Sequence, residues 1–209
     1  MSGGPKSRFI WLHGIPGAGK TVLAYTMVEQ VKFVTKADRK QGLAYYYCYH
    51  GRNKDETVPF LTWTLGQLCR ASDYIPVILS NLHRSGCEPN IKDLLDCVEA
   101  VLTQFTAAYV VVDAVDESSP RTNLLKVLSS LGSDPRFGKL RLAITSREYP
   151  DIEKAFKPRS VAMSMSNLGV MEDIRKYVTS KLQDERYEAW DKPLRDEVAT
   201  LLPQKARGM

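Results

Sequence analysis

The chain has 209 residues, a formal net charge of +5, 44% hydrophobic and 25% charged residues, which fits one globular domain with at most a small appendage and a core that needs no staples. No apolar run approaches the ~20 residues of a membrane span, and the opening MSGGPKSRF lacks a secretory apolar stretch, so a cytoplasmic protein with no membrane partner is expected. Basic residues are not interleaved with aromatics in a cluster, so no nucleic-acid partner is expected either.

In chain order, RFIWLHG (8–14) reads as a buried strand ending in glycine, and KTVLAYTMVEQVKF (20–33) as a helix with Leu23, Met27, Val28 and Val31 on one stripe. GLAYYYCYH (42–50) reads as a second strand and GRNKDET (51–57) as a loop. Helices are expected over 58–70, with Pro59 in the first turn, and over 74–84. NIKDLLDCVEAVLTQF (90–105) is the cleanest helix, with Asn90 as its N-cap. AYVVVDAVDES (108–118) is a β-branched run ending in acids, hence a buried strand with a charged C-terminal edge. A helix over 121–132 closes at Gly132; KLRLAITSREYP (139–150) gives a strand and then a loop; RSVAMSMS (159–166) is a weaker strand. Two amphipathic helices follow at 171–182 and 192–202.

Strands alternating with helices predict an α/β fold, a mainly parallel sheet covered on both faces. Residues 1–166 form its core and 167–209 a helical appendage. The cysteines Cys48, Cys69, Cys87 and Cys97 form no C-x-x-C pair, and no zinc-ligand spacing occurs with the three histidines, so all four are read as reduced thiols, most of them packing residues, with Cys48 in a strand and Cys69 and Cys97 in helices.

GIPGAGKT (14–21) meets the pattern G-x-x-x-x-G-K-[ST] in full. At average residue usage a chance match in such a chain is roughly one in a hundred, and this one has a strand before it and a helix after. Glycines let several backbone N–H groups face one phosphate chain, and the next helix adds the positive end of its dipole. The phosphate-binding segment is Gly14, Ile15, Pro16, Gly17, Ala18, Gly19, Lys20, Thr21 and Val22. Lys20 reaches the β- and γ-phosphates, the Thr21 hydroxyl binds Mg²⁺, and Pro16 stiffens the loop.

Such a loop needs an acid delivered by a second strand. Asp113 directly follows the apolar run and is the candidate second Mg²⁺ residue, acting through a water ligand. Asp116 and Glu117 come next; one of them, Glu117 first, polarises the attacking water. The alternative is that both cap the following helix or face solvent. Thr145, Ser146 and Arg147 end the next strand and open onto the same sheet edge. Arg147 is read as a sensor of the γ-phosphate, or alternatively as an exposed arginine paired with a surface carboxylate. The catalytic set is therefore Lys20, Asp113, Asp116, Glu117 and Arg147.

With FIWLHGIPGAGKTVLA, YYYCYH, PFLTWTLGQL, VVVDAVDES and LAITSRE in view, the chain resembles the NACHT nucleotide-binding domain of STAND-class signalling NTPases, in particular the fungal and nephrocystin-3-like group. The tail stretches NLGVMEDIRKYV and LLPQKARGM look like this group too. The resemblance implies an additional-strand P-loop sheet, with one strand between the phosphate-loop strand and the metal-acid strand. It implies Lys20 and Thr21 as the Walker A pair, Asp113 as the Walker B aspartate, Glu117 as the catalytic acid and Arg147 as the sensor-1 arginine. It also implies slow hydrolysis of ATP, or GTP, with Mg²⁺. In the whole protein it implies an effector domain and a repeat sensor domain in cis, self-association, and helical and winged-helix regions beyond Met209.

Two function classes remain open on the sequence: a slow nucleoside triphosphatase, and a nucleotide-binding switch or oligomerisation module with little hydrolysis. A small-molecule kinase is a weaker third, because no arginine-rich lid is evident. ATP is favoured over GTP because the guanine-reading spacing N-K-x-D is not met: Asn53-Lys54 is followed directly by Asp55.

Overall fold

The computed structural model describes residues 7–52, 54–86, 88–165 and 168–206. Asn53, Cys87, Ser166, Asn167 and the two chain ends lie outside the described residues, together with what the sequence predicts for them. The elements run β1 (Phe9–His13), α1 (Lys20–Ala37), β2 (Gln41–Tyr47), α2 (Thr57–Ser72), α3 (Val77–Ser85), α4 (Ile91–Leu102), β3 (Ala107–Asp113), α5 (Thr122–Ser133), β4 (Leu140–Ser146), α6 (Pro150–Phe156), β5 (Val161–Ser164), α7 (Leu168–Lys181) and α8 (Lys192–Ala206).

The strands form one parallel sheet in the order β2-β3-β4-β1-β5. β4 separates β1, which feeds the glycine loop, from β3, which ends in Asp113; this is the inserted strand that the resemblance implies. All C-terminal strand ends share one edge. Along it Tyr47 pairs with Asp113, and His13 with Ser146 and Ser164.

Side-chain alternation along each strand divides the core in two. Phe9, Trp11, Ala44, Tyr46, Ala108, Val110, Val112, Leu140, Leu142 and Ile144 point to the thicker side, under α2, α4, α5 and α6. Leu43, Tyr45, Val111 and Ala143 point the other way, where Ala24, Met27 and Val28 of α1 cover them. This parity decides the site: Asp113 and Thr145 belong to the α1 side, and Ser146 to the thick side.

Several boundaries move for identifiable reasons. α1 continues to Ala37, because its last turns carry the exposed Phe33 and Val34 and so break the amphipathic stripe without breaking the helix. The strand expected over 42–50 stops at Tyr47, which puts Cys48 just past it; that over 108–118 stops at Asp113. The helix expected from 74 starts only at Val77, behind Pro76. α4 is capped as expected by Asn90, whose side chain accepts from the Asp93 N–H while Asp93 returns the bond, a capping box; it ends at Leu102 rather than 105.

Gly132 does not close α5, which runs to Ser133. A Cβ on Gly132 would lie 2.4 Å from Cδ1 of the buried Phe9, so this glycine is a close-packing residue. The segment after β4, expected as a loop, holds the short helix α6, opened by Pro150 and anchored by the buried Ile152 and Phe156. β5 is four residues long and exposed, pairing at the sheet's edge with β1. In the tail, α7 and α8 pack against each other, and α8 extends to Ala206 with Pro203 inside it. Cys48 and Cys97 are buried free thiols and Cys69 is partly buried and free; burial pushes the Cys97 thiol up to about 11 and Cys48 higher still. Among the described residues no helix is long and apolar enough to cross a membrane.

Candidate functional site

The glycine loop leaves β1 at Gly14, whose N–H lies 3.4 Å from the Ser146 carbonyl on β4. Gly17 and Gly19 take left-handed φ of 81° and 83°, a conformation that costs any residue with a Cβ about 1–2 kcal/mol. Gly19 is the N-cap of α1 and supplies no side-chain cap, so the helix opens with N–H groups aimed out of its first turn. Ile15, Pro16, Gly17 and Val22 lie exposed at the surface of this loop, and Ala18 is tucked beneath it.

The Lys20 ammonium folds back over the loop, 2.9 Å from the Gly14 carbonyl and 2.8 Å from that of Ile15. Its pKa is pushed down, mainly by burial and also by Arg147, with Asp116 and Asp113 working in the opposite direction. The Thr21 hydroxyl, one residue on, donates to Asp113 Oδ2 at 2.8 Å. Asp113 is 3% exposed, and its other oxygen accepts from the fully buried Thr145 hydroxyl. Thr145 in turn accepts the Ala114 N–H at 3.0 Å. Ala114 sits at φ 56°, left-handed without being glycine, and this turns the chain sharply into the short 3₁₀ turn Val115–Glu117.

That turn sets Asp116 and Glu117 apart. The Asp116 carboxylate accepts the Arg147 N–H at 2.9 Å and lies 3.3 Å from its Nε. Its carbonyl accepts from Arg121, which also pairs with Asp151 at 2.7 Å. Arg147 therefore does pair with a carboxylate, but with one of the site rather than of the outer surface. Its pKa is raised by a hydrogen bond with Tyr149 and by Asp116. The Glu117 carboxylate accepts the His50 backbone N–H at 3.2 Å, and its charge adds to that of Asp116 in raising the Arg147 pKa.

Ser146 departs from its expected place on the ligand edge. It is fully buried, accepting from Trp11 Nε1 at 2.8 Å and donating to the Arg147 carbonyl, because its parity sends it to the thick side of the sheet. Residue type and spacing do not reveal that Thr145 orients Asp113 or that His50 holds Glu117. Strand parity carries the first signal; the second is a backbone contact that leaves no mark on residue type.

A parallel sheet with the phosphate-loop strand and the acid-bearing strand separated by one other is the additional-strand form of the P-loop NTPase fold. Solved structures agree: the Aeropyrum pernix ORC1 protein in complex with DNA superposes with a TM-score of 0.52 at 13% identity, covering 85% of this chain and 45% of that one. The Drosophila ORC bound to DNA superposes at 0.51 with 16% identity, covering 96% and 52%. Likeness at that identity is likeness of fold, and the DNA belongs to those proteins.

Within this class, residues 1–147 match the family described as Nephrocystin 3, N-terminal, and the chain belongs to that family. It is also 25% identical over 166 residues to the vegetative incompatibility protein HET-E-1 of Podospora anserina, which bears out the NACHT resemblance. The match covers 72% of this chain but only 12% of HET-E-1, so the chain corresponds to a small part of that protein.

Proposed function

We propose that this chain binds a nucleoside triphosphate with Mg²⁺ over Gly14–Val22 and slowly hydrolyses its β–γ bond, with ATP favoured over GTP. The observation that carries the reading is the 2.8 Å contact between the Thr21 hydroxyl and Asp113. It joins one neutral and one anionic oxygen donor at the first turn of the phosphate-loop helix. That donor set suits Mg²⁺, which takes one or two protein oxygens and fills its remaining positions with water and phosphate. When bound, the ion supplies charge neutralisation at the β- and γ-oxygens.

The chain's own residues do the rest. The α1 N–H groups and the Lys20 ammonium, exchanging its loop carbonyls for phosphate oxygens, bind and orient the triphosphate. Thr145 fixes the Asp113 carboxylate through its buried hydrogen bond. Glu117 orients a water for attack and takes its proton at the carboxylate. Arg147, held by Asp116, faces the terminal phosphate and responds to its presence. ATP is favoured because the guanine-reading spacing N-K-x-D is not met: Asp55 stands one position early and Glu56 takes the place of the aspartate. The wider role that the NACHT resemblance implies is that of the nucleotide-dependent switch of a larger self-assembling receptor with effector and repeat domains in cis; similarity to a small part of a fungal vegetative incompatibility protein supports placing it in fungal non-self recognition and cell death.

The test is phosphate release with Mg²⁺ and ATP or GTP side by side. Glu117→Gln is expected to lower turnover by about 100-fold or more, in the range of a lost general base, with nucleotide affinity by calorimetry unchanged. Wild-type turnover in that variant overturns the assignment of Glu117. Binding without turnover in the parent chain makes it a switch rather than an enzyme.

A further inference from the structure

Glu56 is a buried acid that the proposed chemistry leaves unused. It is 0% exposed, and it stands at the N-cap of α2, where a short polar side chain ordinarily caps the helix. Its carboxylate makes no such cap; Asp55 serves the first turn instead, accepting the Thr57 N–H at 2.9 Å. Glu56 is turned inward, where it accepts from the Tyr46 hydroxyl and pairs with Arg52 at 3.0 Å. Arg52 also donates to the Tyr46 oxygen at 3.0 Å, and its guanidinium lies over the Tyr46 ring. A buried carboxylate is tolerated only when paired in this way. Burial and Glu56 push the Tyr46 hydroxyl's pKa upwards, which keeps it a donor.

Arg52 ends the 3₁₀ turn His50–Arg52, and the first N–H of that turn holds Glu117. The same connection is stitched to the acidic one along its length. Cys48 N–H meets the Asp113 carbonyl at 3.0 Å, Glu56 N–H meets the Ser118 hydroxyl at 3.3 Å, and Asp55 accepts from Asn123 at 2.9 Å. We propose that Glu56, with Tyr46 and Arg52, is a positioning residue for hydrolysis: it clamps the His50–Arg52 turn, and the turn fixes the Glu117 carboxylate. The inference rests on the role given above to Glu117. Arg52 is the surface end of this network, with a side chain 42% exposed.

The test combines amide hydrogen exchange with steady-state phosphate release for Glu56→Gln and Tyr46→Phe. Both variants are expected to speed exchange over residues 48–52 and to lower kcat about tenfold, as a displaced catalytic group does, with KM and nucleotide affinity unchanged. In the Glu117→Gln background, Glu56→Gln is expected to have no further effect on turnover. An unchanged kcat, unchanged exchange at His50, or an equal loss in the Glu117→Gln background overturns the inference. Wild-type turnover in Glu117→Gln alone overturns the functional reading instead, and exchange at His50 then decides the clamp by itself. Should Glu56→Gln lose its thermal transition, Arg52→Ala, at the surface end of the network, carries the same test.

Discussion

Residues 14–22 build the glycine loop from one continuous stretch, whereas the acidic edge facing it draws Asp113, Asp116 and Glu117 from one connection, Thr145 and Arg147 from another, and His50 from a third. The loop works through backbone: left-handed glycines at 17 and 19, an uncapped helix start, and one ammonium resting on its own carbonyls. The acidic edge works through side chains, each oriented by a neighbour far away in sequence. Thr145 reaches Asp113 across 32 positions, and His50 reaches Glu117 across 67. On the proposed function, the binding element is local, while the hydrolytic one depends on several strands ending at the same level. Damage to the loop should therefore cost affinity, and damage to the edge should cost turnover and stability.

The sharpest check of the loop is Lys20→Ala. Removing a charge-assisted contact to phosphate costs about 2–3 kcal/mol, a loss of roughly 30- to 150-fold in affinity. Calorimetry with ATP should show that loss with no fall in thermal stability. An affinity left intact would break the comparison at its first term.

On the acidic side, Thr145→Val keeps the shape but strands an Asp113 oxygen and the Ala114 N–H. The expected destabilisation is about 1–3 kcal/mol in chemical denaturation. Turnover should fall, while nucleotide binding measured without Mg²⁺ stays the same. Equal losses in binding and turnover would mean that the two regions are not separable.

The smallest effect concerns the outer brace, Arg121 with Asp151, behind Asp116. The hydrogen bond with Arg121, more than any other influence, holds the Asp151 carboxyl below its ordinary value. A depressed carboxyl stabilises the fold above its unfolded pKa of about 3.9, and that contribution disappears as pH falls through the folded value. The Asp151 end of the pair is half exposed, so its worth is in the range of about 0–1 kcal/mol. Melting temperatures of the parent chain and Asp151→Asn should differ slightly at neutral pH and converge in acid. A gap that widened in acid would reverse the sign and rule out the brace.

Periodicity made most of the fold legible: β-branched and aromatic runs gave the strands, and apolar stripes gave α4 and most of α1. It lost α6, whose seven residues offer too few turns for a stripe, and the end of α1, where Phe33 and Val34 face solvent. Gly132 looked like a helix stop because glycine often is one; only the packing of Phe9 against it explains why a side chain is excluded.

By itself the sequence determined that this chain carries a strand, a glycine loop and a helix in that order, and an acid at the end of a buried strand. Those features are contiguous, and their chemistry depends on backbone conformation and on residue type at fixed spacing. The tertiary structure decided which side of the sheet each strand-end residue meets. It gave Thr145 to Asp113 and Ser146 to Trp11, tied Asp116 to Arg147, and brought the β2–α2 connection against Glu117. The physical reason is that side-chain direction alternates along a strand while neighbouring strands are chosen by the order of the sheet, and that order becomes visible only once the chain is folded.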